Sequence, residues 1–314
     1  MKLCSNLKPG KELLEYALSQ NIAIGAFNFS NMETIQAIVE VANEVQTPVI
    51  LQVSESAIKY MGMDYVCCLV STAAQNSNVP LAFHLDHGKD FEICKKCVDS
   101  GFTSVMIDGS SLPFEANVER TKEVVEYAKE RKVSVEAELG ILPGIEDDVK
   151  VLEHDHFFTD PDKALEFIEK TGVESLAISI GTSHGLSKAK FGSAKLNIKR
   201  LKEIKHKVGQ FPLVLHGASS VYQDIVAMCN DHGADIKDAL GIQDVDIIES
   251  IRNGIVKINV DTDIRLAFMA GIRKSLQINR ASVDIRKHLS NAKDITKEII
   301  KRKMKTFIKI SESA

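Results

Sequence analysis

The sequence predicts an α/β fold in which eight parallel strands close into a (β/α)8 TIM barrel with a C-terminal helical extension. Eight short apolar runs alternate with longer amphipathic stretches, which is the pattern of repeated strand and helix units. No GxGxxG motif follows the first run, although a doubly wound sheet normally carries a Gly-rich first turn. No linker rich in Gly, Ser or Pro interrupts the 314 residues. We therefore expect one domain over residues 1–314, with the extension beginning at about residue 280.

The predicted strands lie where β-branched and other apolar residues cluster. In chain order they span residues 22–27, 49–53, 81–85, 104–107, 133–137, 175–180, 213–215 and 256–260. Among the helices, Asn31 is a candidate cap, and Asp160 followed by Pro161 predicts another helix start. The connection over residues 140–155 is long enough to be a lid. The basic amphipathic stretch 295–310 is expected to expose its cationic face, Lys303 included.

Composition excludes several classes of protein. Hydrophobic residues at 44% and charged residues at 26% are typical of a globular chain, not of a disordered or collagen-like one. The formal net charge of −4 predicts no nucleic-acid partner and no attraction to an anionic membrane. The N-terminus lacks the apolar stretch of a signal peptide, and no apolar run is long enough for a membrane span, which predicts a cytoplasmic location.

The six cysteines are expected to be thiols because no secretory signal is evident. Cys94 and Cys97 have the spacing of a redox or zinc pair. They also fit the apolar face of a helix, and no second pair is present to complete a tetrahedral zinc site. Helix packing is therefore the favoured interpretation.

Every predicted strand is followed by polar residues, and in a barrel these positions face one crater. The residues in this group are Asn28, Ser54, Asp86, His87, Asp108, Glu138, His184, His216, Asn259, Asp261 and Thr262. A single histidine at a strand end is more often structural than a ligand. Three of them, on the third, sixth and seventh strands, predict a catalytic zinc site with an open fourth position.

The other histidines are assigned differently. His84 shares the face of Asp86 but lies deeper in the barrel, where it either supports the site or belongs to the core. Surface positions are expected for the remaining five, His154, His156, His206, His232 and His288. Lys257 is expected in the deep barrel, two residues before Asn259, and not at the metal.

Six ordered segments resemble the motif set of class II, metal-dependent fructose-1,6-bisphosphate aldolases. They are HLDHG at 84–88, VMIDG at 105–109, VEAELG at 135–140, GTSHG at 181–185, LHGAS at 215–219 and KINVDTD at 257–263. The resemblance implies a zinc-dependent lyase of glycolysis and gluconeogenesis. Such an enzyme interconverts fructose 1,6-bisphosphate with dihydroxyacetone phosphate and glyceraldehyde 3-phosphate. A homodimer or homotetramer and an accessory Na⁺ or K⁺ ion are also implied.

The resemblance assigns roles residue by residue. His87, His184 and His216 resemble the zinc ligands, and Asp108 and Glu138 match carboxylates that hold an alternative metal position or orient the ligands. Asp86 matches the acid/base at the C4 hydroxyl, and Glu146 the mobile-loop residue that handles the proton at C1. The candidate substrate-binding residues are Asn28, Ser54, Gly185, Lys188, Gly217, Ser219, Asn259, Asp261, Thr262, Arg265 and Arg286. Of these, Arg286 matches an arginine that reaches the phosphate site of the other subunit.

The motifs are compatible with more than one function. A tagatose-1,6-bisphosphate aldolase would share the metal site, although Arg265 and the segment 233–241 favour fructose. A zinc amidohydrolase usually carries His-x-His on its first strand, and this strand ends in Asn28. The sequence does not exclude a non-enzymatic role. Two departures from the family pattern are Leu142-Pro143 in the fifth loop and Ser220-Val221-Tyr222 after Ser219, where a proline is more usual.

Overall fold

The computed structural model describes residues 6–140, 158–182, 186 and 195–309, and the backbone alone of 144–146 and 149–151. Its strands, in chain order, are β1 Ile24–Asn28, β2 Val49–Ser54, β3 Leu81–Gly88, β4 Ser104–Ile107, β5 Ser134–Leu139, β6 Gly144–Glu146, β7 Val149–Val151, β8 Ser175–Ile178, β9 Leu213–Leu215 and β10 Ile255–Val260. Its helices are α1 Gly10–Gln20, α2 Met32–Val45, α3 Glu55–Met61, α4 Met63–Gln75, α5 Phe91–Asp99, α6 Phe114–Lys129, α7 Pro161–Thr171, α8 Ile198–Val208, α9 Gln223–Asp231, α10 Asp244–Arg252, α11 Thr262–Ile278 and α12 Ile285–Ile308.

Eight of the strands close into a barrel in the order β1-β10-β9-β8-β5-β4-β3-β2. All neighbouring pairs within it are parallel. The predicted (β/α)8 barrel is confirmed, and each of the eight predicted runs overlaps one barrel strand. β6 and β7 form a separate antiparallel hairpin within the long fifth connection. Because every barrel strand runs the same way, the carboxyl ends of all eight lie at one mouth.

Strand alternation divides the buried side chains between two layers. On β3, Leu81, Phe83 and Leu85 join the main core between the barrel and its surrounding helices. Ala82 faces inward and packs with residues from α1, β1, β2 and β10 in a second cluster. α1 therefore covers the end of the barrel opposite the mouth, which leaves the mouth for polar side chains.

The local signals for two helices are confirmed. Asn31 accepts from the Thr34 amide at 2.8 Å in a capping box at the start of α2. Asp160 accepts from the Asp162 and Lys163 amides, and Pro161 is the first residue of α7. Both caps satisfy backbone donors that the first helical turn leaves unpaired.

The C-terminal helix corrects two predictions of exposure. α12 packs along α11 and α2, so part of its polar face lies against protein. Lys303 is 0% exposed, contrary to the expected solvent-facing position. His288 is also buried, and its Nδ1 lies 2.9 Å from the Ser275 hydroxyl of α11. A single helix cannot reveal from its own sequence that a second helix covers its charged face.

Cys94 and Cys97 are buried on α5 and are free thiols, as predicted. Burial raises the pKa of Cys94 to about 12, so this sulfur stays protonated and packs as an apolar group. Among the described residues, no helix has the length and apolar character that crossing a membrane requires.

Candidate metal centre and active site

A bulge in β3 directs two adjacent side chains into the barrel mouth. β3 advances three residues, from Leu85 to Gly88, while β4 advances two, from Val105 to Ile107. The extra residue coincides with His87, whose φ is +47°. In a regular strand Asp86 and His87 would face opposite sides of the sheet. The left-handed residue in the bulge instead brings His87 Nε2 to 4.0 Å from Asp86 Oδ1.

His87, Glu138 and His216 form a cluster of candidate metal ligands at the mouth. One ligand atom from each lies within 4.8 Å of the others. His216 is completely buried, and its Nδ1 lies 3.1 Å from Glu138 Oε2. Neither of these two atoms has a hydrogen-bond partner among the described residues. Buried polar atoms normally have partners, so this pair fits a bound cation.

Each histidine of the cluster is oriented by a second carboxylate. His87 Nδ1 lies 2.8 Å from Asp108 Oδ2, and His216 Nε2 lies 2.9 Å from Glu136 Oε1. A carboxylate accepts the ring N–H and so fixes the tautomer. For His216 the proton on Nε2 leaves Nδ1 as the nitrogen with a lone pair for a metal.

Lys257 holds Glu136 in place below the cluster. Its Nζ donates to both oxygens of Glu136, at 2.9 and 2.8 Å, and lies 3.2 Å from His84 Nε2. The opposite nitrogen of His84 lies 2.8 Å from the Ser104 hydroxyl. Three acceptors therefore satisfy the three N–H groups of this buried ammonium.

The electrostatics of the mouth favour a positive ion. Four carboxylates, on Asp86, Asp108, Glu136 and Glu138, face the described histidines, and Lys257 pairs with one of them. Burial lowers the pKa of His216, but the hydrogen bond to Glu136 and the neighbouring Glu138 carboxylate outweigh it and raise this pKa to about 9. Burial and the Lys257 charge hold the pKa of His84 well below its usual value, so this ring stays neutral.

Three amide side chains hold the Asp86 carboxylate beside the cluster. Asn28 donates to Oδ2 at 2.8 Å, and Asn259 donates to Oδ1 at 3.0 Å. Gln52 donates to Asn28 Oδ1 at 2.5 Å and to Asp86 Oδ2 at 3.4 Å. All four side chains are buried, so the orientation of the carboxylate is fixed by the barrel interior.

A tight turn follows β9 and continues from His216. Gly217 has φ +59°, and Ser219 is buried. The carbonyl of Ser219 accepts from the Ile242 amide at 3.1 Å. Gly241 makes this contact possible, since a Cβ there would lie 2.2 Å from the Ser220 carbonyl carbon. The turn therefore has a defined backbone at the barrel mouth, as an anion-binding loop requires.

Comparison with known proteins agrees with this geometry. The family model described as fructose-bisphosphate aldolase class-II matches residues 8–311. The chain belongs to this family. A fructose-bisphosphate aldolase of Thermus caldophilus is 47% identical over 301 residues, covering 96% of this chain and 98% of the relative. The Helicobacter pylori fructose-bisphosphate aldolase is 44% identical over 300 residues, covering 95% and 97%.

A solved structure supports the same family assignment. The crystal structure of a putative fructose-1,6-biphosphate aldolase from Coccidioides immitis has a TM-score of 0.79 and 28% identity, and each chain is covered to 96%. This class II fructose-bisphosphate aldolase family is metal-dependent, and the ligand cluster of the present chain provides a candidate site for the ion.

Several other predicted substrate residues already have protein partners in this aldolase fold. Arg265 binds Asp261 through two contacts, Nε–Oδ1 at 2.9 Å and Nη2–Oδ2 at 2.7 Å. Ser54 caps α3 by accepting from the Ala57 amide at 3.3 Å. Thr262 is the first residue of α11, separated from β10 only by Asp261. Arg286 is 86% exposed and pairs with Asp284 at 2.9 Å.

Four predicted residues cannot be placed. His184, Gly185 and Lys188 lie outside the described residues, and of Glu146 only the backbone, in β6, is described. Their roles stay predictions. Conversely, Gln52 and Glu136 were not among the site residues predicted from the sequence. Gln52 lies two residues before Ser54 on β2, and Glu136 lies two residues before Glu138 on β5. Side chains two apart on a strand share a face, so strand alternation was the signal that could have identified both residues.

Proposed function

We propose that this chain reversibly cleaves fructose 1,6-bisphosphate to dihydroxyacetone phosphate and glyceraldehyde 3-phosphate, with Zn²⁺ as its resident metal. The cluster of His87, Glu138 and His216 beside the Asp86 carboxylate carries the proposal, together with membership of the class II family. Nitrogen and carboxylate ligands are those that zinc takes in catalytic sites.

His87 and His216 would hold the metal together with His184. Glu138 belongs to the same cluster of candidate ligands. When bound, the metal supplies a Lewis acid that polarises the substrate carbonyl and stabilises negative charge on its oxygen. A Schiff-base lysine is then unnecessary. The buried Lys257 is held as an ammonium donor by Glu136 and His84, so its nitrogen has no lone pair with which to attack a carbonyl.

Asp86 acts on the hydroxyl group at C4. It removes the hydroxyl proton as the bond between C3 and C4 breaks, and the electrons of that bond pass to the dihydroxyacetone phosphate half. The amides of Asn28, Gln52 and Asn259 fix the carboxylate for this transfer. Glu146 then supplies the proton to the carbon that becomes C1 of dihydroxyacetone phosphate.

The substrate phosphates are assigned to the loops at the mouth. Gly217 and Ser219 on the turn after β9 would bind one phosphate, with Gly185 and Lys188 on the preceding connection. Backbone amides in such turns, and the N-terminus of α11 at Asp261 and Thr262, favour anions. Arg265 and the partner-reaching Arg286 would complete the phosphate contacts.

Release of triose phosphate tests the activity directly. We expect release from fructose 1,6-bisphosphate to exceed release from tagatose 1,6-bisphosphate, to stop with a chelator and to return with zinc. Borohydride added with substrate should leave the activity unchanged. Covalent trapping on a lysine, or activity that persists after verified metal removal, would contradict the proposed chemistry.

Three further assignments are proposed with the activity. A homodimer or homotetramer can be tested by sedimentation, and an accessory Na⁺ or K⁺ ion by titrating each salt into enzyme free of both. The cytoplasmic location and the absence of nucleic-acid and membrane partners stay predictions.

A further inference from the structure

Lys303 on the C-terminal helix forms a buried ion pair next to the turn after β9. Its Nζ lies 2.9 Å from Asp263 Oδ2, and the two side chains are 0% and 1% exposed. The same nitrogen donates to the Ser220 hydroxyl at 2.6 Å. Ser220 in turn donates to Asp244 Oδ1 at 3.1 Å. A residue of the last helix thus contacts two segments at the barrel mouth.

Asp263 is the residue through which this contact reaches the turn. Its Oδ2 accepts from the Ser220 amide at 2.9 Å, and its Oδ1 accepts from the Val221 amide at 2.7 Å. Val221 has φ +48°, a left-handed conformation that is strained for a β-branched residue. The two charge-assisted hydrogen bonds offset this strain and hold the turn in its tight conformation.

The turn itself is held from two sides. Ile242 binds the Ser219 carbonyl, and Asp263 binds the next two amides, of Ser220 and Val221. The backbone of Gly217 to Ser219 therefore depends on the position of the Asp263 carboxylate. That carboxylate also carries a negative charge into the neighbourhood of a loop that would bind a phosphate dianion. Lys303 compensates this charge at 2.9 Å.

We propose that Lys303 is a positioning residue for substrate phosphate, acting through Asp263 on the Gly217–Ser219 turn. The inference rests on the proposed function, which assigns a phosphate to this turn. Without the ammonium, the buried carboxylate has no counter-charge, repels a nearby phosphate and is held by its two amide hydrogen bonds alone. Phosphate binding is then weakened, while the metal cluster keeps its own partners, Asp108 and Glu136.

Lys303→Met tests the inference, because methionine retains most of the side-chain length without the charge. We expect the KM for fructose 1,6-bisphosphate and the Kd for inorganic phosphate each to rise about tenfold. The turnover number should stay within about threefold of wild type, and zinc content should be unchanged. Lys305→Met is the matched control, since Lys305 is an exposed lysine on the same helix; it should match wild type in all four quantities.

The inference is overturned if Lys303→Met lowers the melting temperature and leaves both KM and the phosphate Kd unchanged. Should that variant not fold, Asp263→Asn tests the positioning step alone: it removes one of the two acceptors that hold the Ser220 and Val221 amides, so the phosphate Kd should still rise although the repelling charge is gone. Calorimetric titration with inorganic phosphate needs no turnover. Failure of wild type to release triose phosphate would count against the proposed function, whereas equal phosphate affinity in wild type and variants would count against the role of Lys303.

Discussion

At the scale of single residues, the neighbours of a side chain decide what its functional group can do. Asp86 and Glu138 are carboxylates at strand ends of one barrel, yet their surroundings differ. Asp86 receives amide N–H groups on both oxygens, whereas Glu138 Oε2 faces an imidazole nitrogen without a hydrogen bond. The first arrangement orients a base for a substrate proton, and the second is suited to a cation.

Asp86→Ala is expected to lower turnover by roughly two to four orders of magnitude while zinc stays bound, because the base is removed and the ligands remain. Turnover and zinc content measured on one preparation check this. Asp90→Ala is the control, since Asp90 caps α5 by accepting from the Ile93 amide at 3.0 Å. It should cost about 1 kcal/mol of stability and leave turnover intact. Near-normal turnover of the Asp86 variant would show that Asp86 is not the base that acts on the C4 hydroxyl.

Glu136→Gln is expected to weaken zinc binding about 10–100-fold, the range for losing a residue that orients a metal-bound histidine. Competition with a fluorescent chelator measures the affinity. Glu174→Gln is the control, because Glu174, which directly precedes β8, also binds β5 by accepting from the Val135 amide at 2.8 Å, and none of its described hydrogen bonds is to His216. Zinc affinity should stay at the wild-type value in the control.

Glu136 has two roles to separate: it orients His216 and it balances the charge of Lys257. The double variant Glu136→Gln/Lys257→Met distinguishes them. Glu136→Gln alone leaves the Lys257 ammonium buried without its counter-ion, which destabilises the fold. The double variant should recover stability in a urea titration but keep the weakened zinc affinity. If stability and zinc affinity recovered together, Glu136 would act by stabilising the fold and not by orienting His216.

At the scale of elements, the β3 bulge is what allows one strand to supply both the base and a metal ligand. Gly88 makes the bulge possible by permitting close approach to β4 and α5. A Cβ on residue 88 would lie 2.6 Å from the Met106 carbonyl oxygen and 2.9 Å from Cys94 Sγ. Backbone atoms cannot yield to such a contact without a shift of the strand.

Gly88→Ala is therefore expected to shift His87 and reduce both zinc affinity and kcat/KM by at least about tenfold, the range for losing the geometry around a metal. Gly101→Ala is the control, because its φ of +93° strains alanine while nothing lies within 4 Å of the new Cβ. The control should lose about 1 kcal/mol of stability with unchanged zinc affinity. Equal effects of the two substitutions on zinc would show that the close contact at residue 88 is irrelevant to the site.

Sequence periodicity and capping residues predicted the strands and helix starts well, because each depends only on residues close together in the chain. All eight barrel strands and the caps of α2 and α7 were predicted because periodicity and capping are short-range properties. The prediction was wrong for Lys303 and His288 on α12. Their burial depends on α11 and α2, which are distant in sequence, and no pattern within the helix encodes that contact.

At the scale of the whole molecule, closure of the barrel brings distant segments to one mouth. Glu136 and Lys257 are separated by 121 positions and Asn28 and Asp86 by 58, yet each pair is in contact. Arg286 differs from this group, because it lies at the start of α12 and is 86% exposed. An exposed arginine at this position is available to a neighbouring subunit.

If Arg286 completes the phosphate site of a partner, Arg286→Ala and His216→Ala should each be nearly inactive for reasons located in different subunits. Hybrid dimers then contain one complete site. With random pairing about half of the dimers are hybrids with one good site of two, so activity should recover to about a quarter of wild type. Co-expression of the two variants gives the mixture, and the separately purified variants give the baseline. Activity at that baseline would place Arg286 outside the partner's site.

The class of the fold, the ring of polar residues at the strand ends and the family could all be predicted from the sequence, because they depend on local periodicity and on short ordered motifs. Which of those residues act together depends on the folded barrel. It placed Asp86 and His87 on the same side through a bulge, joined His216 to Glu136 and Lys257, and buried Lys303 beneath the turn after β9. These relations depend on the register of neighbouring strands and on which surfaces pack together, so they arise only when the barrel closes.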